Sequence, residues 1–228
     1  MSWLTTTFSS SLGKKLIMAL TGLFLCTFLV VHLIGNLQLL KADGGASFNL
    51  YAKFMTSNPL IKTTSYLLYL SILGHAFWGL SLVFKNKKAR PVGYHASNNS
   101  STWNSRNMGL LGTIVLAFII GHMAQFWWKY HNPGSSYPLV TIEGEQYYDL
   151  YIMVIHAFKE AWMVGLYVIA MAAIAFHLHH GFQSAFQTLG INHAKYTPTI
   201  KVIGAVFAYV TSAAFAFIPV YIFLFVKG

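Results

Sequence analysis

Residues 16–40 read LIMALTGLFLCTFLVVHLIGNLQLL. From Leu16 to Leu40 there is no Asp, Glu, Lys or Arg, and one histidine, His32. Crossing about 30 Å of hydrocarbon takes roughly 20 helical residues. A run of this length therefore crosses a bilayer, and it does so as a helix, because lipid leaves backbone groups no partner but each other. The run lacks a small-residue cleavage signature and reads as a retained helix rather than a signal peptide. An imidazole inside it has no water to solvate it, and polar groups at membrane depth tend to be functional.

Four further apolar runs follow, near Leu60–Phe84, Met108–Tyr130, Leu150–His180 and Ile200–Val226. The expected fold class is an all-α membrane protein, with five transmembrane helices bundled in a single membrane domain over residues 1–228. The chain is 56% hydrophobic and 9% charged, where soluble domains carry about 25% charged residues. Net charge is +10, but the cations sit between apolar runs, so they speak for topology rather than for nucleic acid. The one cysteine, Cys26, allows no internal disulfide, and there is no Cys-x-x-Cys-His haem-attachment motif.

The connections differ. KADGGASFNLYAKFMTSNP, after the first run, carries Gly-Gly and Asn-Pro turn signals. The second connection is basic, then rich in Ser and Asn. The third holds Glu143, Glu145 and Asp149, and the fourth begins as a helix extension and ends in a Pro-marked turn. Lys14, Lys15, Lys85, Lys87, Lys88, Arg90, Arg106, Lys195 and Lys201 flank one side of the membrane. Lys41, Lys53, Lys62, Lys129 and Lys227 flank the other. The positive-inside rule then places the N-terminus in the cytoplasm and the C-terminus outside.

Four of the runs carry an inward-looking histidine: VVHLIGN (His32), LGHAFWG (His75), IGHMAQF (His122) and AFHLHHG (His177). A single such histidine reads equally well as an interhelical hydrogen bond; four in separate spans each need a partner. Antiparallel helices rising 1.5 Å per residue put His32 roughly 24 Å and His122 roughly 21 Å above the inner surface, with His75 at roughly 14 Å and His177 lower. The histidines thus sort into an outer pair, His32 with His122, and an inner pair, His75 with His177. Two imidazoles from facing helices are what a six-coordinate haem needs. Gly35, Gly74, Gly79, Gly121 and Gly181 offer room beside them. Zinc wants three or four closely placed ligands and suits separated pairs poorly. His177 and His180 share a helix face that His179 does not, so His180 is the rival inner ligand. His179 is left to headgroups or a neighbouring subunit.

The four motifs, their order and the five-span plan resemble the cytochrome b membrane anchor of succinate:quinone oxidoreductases. The likeness is to the five-helix, di-haem type found in bacterial succinate dehydrogenases and fumarate reductases. The family's His-x-x-x-Gly pattern matches His177 to Gly181 and favours His177 over His180. The resemblance implies two non-covalent haems b, an outer one on His32 and His122 and an inner one on His75 and His177. It also implies a flavoprotein subunit with FAD and an iron–sulfur subunit docked on the cytoplasmic face of the bacterial inner membrane. Electrons would pass on to menaquinone or another quinone. The chain has no dinucleotide fingerprint and no iron–sulfur cysteine cluster, so it would be the quinone-reactive subunit, with no dicarboxylate chemistry of its own.

Within that resemblance, Lys85, Arg106, Ser81 and Asn107 are candidate partners of inner-haem propionates. Asn36, Gln38 and Lys53 are candidate quinone contacts. Some relatives carry an acid near the fourth-span ligand, but Ala175 stands there. His156 with Glu160, four residues apart on one helix, are the proton-handling candidates instead. Trp78 and Trp162 are candidate packing partners of a macrocycle, and His95 with the basic inner loops could dock the partner subunits. Rival readings are the cytochrome b anchor of a hydrogenase or nitrate reductase, and a transporter using its histidines as a proton relay.

Overall fold

In the computed structural model of the chain, residues 10–89, 102–134 and 137–226 are described; Trp3, Arg90, His95 and Lys227 lie outside them. Five helical spans are long and apolar enough to cross a bilayer: Ser11–Leu40, Pro59–Lys88, Met108–His131, Ala161–Thr188 and Thr197–Phe225. This is the build of a multi-pass membrane protein.

Helix α1 (Ser11–Leu37) begins where the Ser10 hydroxyl oxygen accepts the Gly13 amide at 3.0 Å and ends in a 3-10 turn, Gln38–Leu40. Then come α2 (Ala46–Ser57), α3 (Pro59–Ala89) and the short α4 (Trp103–Arg106). Helix α5 (Met108–His122) runs through a π-helical segment, Met123–Trp128, into α6 (Lys129–His131). Strands β1 (Leu139–Ile142) and β2 (Glu145–Tyr148) precede α7 (Leu150–Phe158), α8 (Ala161–Thr188) and α9 (Thr197–Phe225).

The outside is built for lipid. Leu70 is 67% exposed, and Phe77 and Ile120 are each 63% exposed, which only a hydrocarbon solvent tolerates on this scale. Without water there is little hydrophobic drive between helices, so contacts rely on close approach of small residues. The α8–α9 interface shows this: Ala170, Ala173, Gly204, Ala208, Thr211 and Ser212 are buried. A Cβ on Gly204 would lie 2.6 Å from the Phe182 ring. Helix α1 packs on α3 and α8, and α5 packs on the same two, while α9 lies outside against α8 and α1. The opposed pairs across the resulting four-helix ring are therefore α1 with α5 and α3 with α8.

Three features depart from the expectation. The fold is not purely helical: β1 and β2 pair antiparallel, Ile142 opposite Glu145, across a Glu143-Gly144 turn with φ of 54° and 85°. Two positive φ values in a two-residue loop match the twist of a hairpin. The first connection carries helix α2 rather than turns alone. The fourth run is two helices, broken at Lys159–Glu160. There the Lys159 ammonium turns away to donate to the Val226 and Ile222 carbonyls at the end of α9, a favourable cation position at a helix C-terminus.

One end of the bundle is tied together by α2. Asn49, 2% exposed, donates to Asp149 Oδ1 at 2.9 Å and accepts the Tyr151 amide at 3.0 Å. Asp149 in turn caps α7 by accepting the Ile152 amide at 3.0 Å. Gly45, at φ 88°, leaves room for Tyr151, whose ring would meet a Cβ there at 2.1 Å. The Ser47 hydroxyl, with the Ser47 and Gly45 amides, holds the Asp43 carboxyl below its ordinary range. That contribution is present at neutral pH and is lost as pH falls through the lowered value. Asn49→Leu removes the donor to Asp149 and leaves the half-buried Tyr151 amide without its acceptor, and should lower the unfolding free energy by about 1–3 kcal/mol, read as a lower Tm in detergent.

Candidate functional site

The four-helix ring encloses an open, largely apolar cavity of about 2770 Å³. A typical small-molecule pocket is roughly 300–1,000 Å³, so this one has room for more than one large group. One mouth lies among Lys15, Asn86, Ser105, Arg106 and Asn107. The other lies among Asn36, Lys53, Lys62, His131 and Tyr147. Starts of α1 and α5 meet the ends of α3 and α8 at the first mouth, as alternating spans require. The charged lining residues are Lys15, Lys53, Lys62 and Arg106, and among the described residues no Asp or Glu lines the cavity.

Between the mouths all four histidines face inward, in the pairs that the depth argument makes. The rings of His32 on α1 and His122 on α5 are 5.8 Å apart between centroids, at 88°. Those of His75 on α3 and His177 on α8 are 6.2 Å apart, at 67°. Each pair thus comes from opposed helices of the ring. A metal between two imidazoles needs two bonds of about 2 Å each. Each ring adds about 1.1 Å from nitrogen to centre, given ring bonds near 1.33 Å. The resulting separation of about 6 Å is that of both pairs, so the residues present fit an iron held from two sides. No group of three or more His, Cys, Asp or Glu side chains forms a metal site among the described residues.

The surroundings suit a flat ligand. A Cβ at Gly181, which lines the cavity, would meet nothing within 4 Å, and one at Gly79 would meet only Met18 at 3.5 Å; Gly74 and Gly121, expected to offer room beside the ligands, do not line the cavity. Gly35 differs from the expectation: its space is filled by the Tyr51 ring, 2.4 Å from a would-be Cβ. Two glycines beyond the predicted set serve the inner pair. A Cβ at Gly22 would lie 3.3 Å from His75 Cε1, and one at Gly112 3.6 Å from His177 Cε1. Phe28 stacks on His32 at 5.2 Å and Phe118 on His122 at 5.7 Å. Helix α9 has no inward histidine but lays Phe215 against His32 at 5.6 Å.

The other predicted residues divide. His180 lines the cavity, but the ring across from His75 is His177. Arg106 and Asn107 line the first mouth; Ser81 and Lys85 do not, and Lys15 stands there instead. Asn36 and Lys53 line the second mouth, whereas Gln38 bonds back to the Ile34 carbonyl at 3.3 Å, off the cavity. His156 and Glu160 are exposed, lie on either side of the α7–α8 break, and do not line the cavity. The one-helix spacing that would pair them is absent. Trp162 is 64% exposed and Trp78 lies under the Lys14 ammonium at 5.3 Å, so neither lines the cavity. His179 is held by Asn104 at 3.1 Å and Gln183 at 3.3 Å, tying α4 to α8.

Sequence reasoning missed a cluster at the second mouth. The Trp127 indole donates to Tyr69 Oη at 2.8 Å, so the phenol proton is left to point elsewhere. His131 stacks on Trp127 at 4.5 Å and its Nδ1 lies 2.9 Å from the Trp127 carbonyl. A carbonyl only accepts, so Nδ1 carries the proton and Nε2 is left as a base. The π-helical segment immediately after His122 sets where Phe126 and Trp127 face, and such segments recur at functional sites. The available signal was positional: aromatic and polar residues one to two turns beyond a ligand, at the membrane boundary.

No protein-family model, curated protein or solved structure matches this chain.

Proposed function

We propose that the chain is the di-haem cytochrome b anchor of a succinate:quinone oxidoreductase, carrying electrons from an iron–sulfur subunit to a quinone. The observation that carries this is the pair of imidazole couples, 5.8 and 6.2 Å between ring centres, reaching across one cavity from opposed helices. Bound haem supplies reversible one-electron chemistry at iron. His32 and His122 hold the outer group, and His75 and His177 the inner one. Lys15 and Arg106 at one mouth, and Lys53 and Lys62 at the other, are placed to receive the ligands' carboxylates. The apolar walls exclude water between the two sites.

Quinone reduction needs protons where the electrons arrive. At the outer mouth Tyr69 offers an O–H to a carbonyl oxygen, and His131 Nε2 is the group that carries a proton between that oxygen and the outside. They replace His156 and Glu160 in that role. The flavoprotein with FAD and the iron–sulfur subunit dock on the cytoplasmic side, against the basic first mouth; the C-terminus lies outside.

The test is direct. Protein purified from membranes should show reduced-minus-oxidised b-type absorption and two haems per chain by pyridine haemochrome assay. A preparation without that absorption sinks the proposal and leaves the histidine-relay transporter.

A further inference from the structure

We propose that Thr21 and Tyr167 are positioning residues, each bracing one histidine of the opposite site, so that α1 and α8 cross-link the two haem sites. Their role rests on the two-haem reading. The carrying observation is the proton accounting at Thr21. Its hydroxyl lies 2.6 Å from the Ile17 carbonyl, 3.3 Å from the Met18 carbonyl and 3.1 Å from His75 Nδ1. Carbonyls only accept and a threonine has one proton. That proton is engaged by Ile17, so toward His75 the Thr21 oxygen accepts. Nδ1 of His75 therefore carries its hydrogen, and its Nε2 lone pair is the one available toward His177. A Cβ at Gly22, next in the chain, would lie 3.3 Å from the same imidazole, so the glycine leaves the ring its place.

The outer site has a counterpart. Tyr167 Oη lies 3.0 Å from His122 Nδ1. A phenol can give or take this bond; with Nε2 as the metal ligand, Nδ1 keeps its proton and the phenol oxygen accepts. Among the described residues His177 has no such brace: its Nδ1 is buried with no partner. The pattern crosses over. Helix α1 carries the outer ligand His32 and, about three turns away, the brace of the inner ligand His75. Helix α8 carries the inner ligand His177 and, about three turns away, the brace of the outer ligand His122. Each hydroxyl acts through an imidazole. A hydrogen bond at Nδ1 makes the ligand more basic and favours the ferric state.

The experiment is redox titration with low-temperature EPR on the purified full chain with its haems. The H122A chain, holding the inner site alone, identifies the inner signals. T21V should raise the inner midpoint potential, move the inner low-spin signal and release the inner haem to apomyoglobin about 10–100-fold more readily. The outer signals should stay. T21S, which keeps the hydroxyl, should restore wild-type values, and Y167F should produce the mirror result at the outer site. The Y167F arm carries the test should T21V fail to insert. Wild-type protein with two haems whose potentials and spectra do not respond to T21V or to Y167F overturns the bracing while leaving the two-haem reading intact. Wild-type protein without haem overturns both.

Discussion

Replacing His122 with alanine should leave the chain with one haem instead of two. The residue lies across the cavity from His32, 5.8 Å away between ring centres, and among the described residues no other histidine ring lies against that couple. His32 alone offers one bond to iron where the site is built for two. The inner couple sits on α3 and α8, is braced from Thr21 on α1, and shares no side chain with His122. Haem per chain, assayed after purification, should therefore halve, and the surviving signals should be those of the inner site. Electron flow to quinone should fall to background because the outer step is missing. Retention of both haems would mean that the imidazoles are not paired as the ring geometry has them.

The second large effect is expected at the outer mouth. His131→Ala should slow quinone reduction about 100-fold, the low end of what a positioned acid–base group contributes, with both haems retained. The Trp127 carbonyl pins Nδ1 and leaves Nε2 for the proton, and the side chain is exposed at the cavity rim. His156→Ala is the control: its ring is exposed but off the cavity, and turnover should change less than about twofold. Equal losses in the two variants would remove His131 from the proton path.

The spans were legible because lipid imposes one rule on every residue of a run, and a charge-free stretch such as Leu16–Leu40 obeys it without help from the rest of the chain. The histidine couples were legible for a related reason: helix rise converts position into depth, and two depths recurred. What could not be read depended on contacts between segments far apart. The break at Lys159–Glu160 carries no Gly or Pro; it places Lys159 to cap a helix that ends at Phe225. Thr21 looks like any polar residue in a span until His75 is seen beside it. The hairpin was within reach, since Leu139–Ile142 and Glu145–Tyr148 flank a two-residue loop ending in Gly144, but the third connection was read for its charge alone. His131 was missed because at a membrane boundary a histidine resembles ordinary interfacial polarity.

The uneven charge of the cavity bears on how the protein matures. Lys15 and Arg106 at one rim, and Lys53 and Lys62 at the other, face a space to which no carboxylate of the chain contributes among the described residues. Anionic guests seated inside would complete the fold's own electrostatics as well as its chemistry. With haem as the proposed guest, cells starved of porphyrin should clear newly made copies through proteolysis, and the protein's abundance would then track cofactor supply rather than transcription.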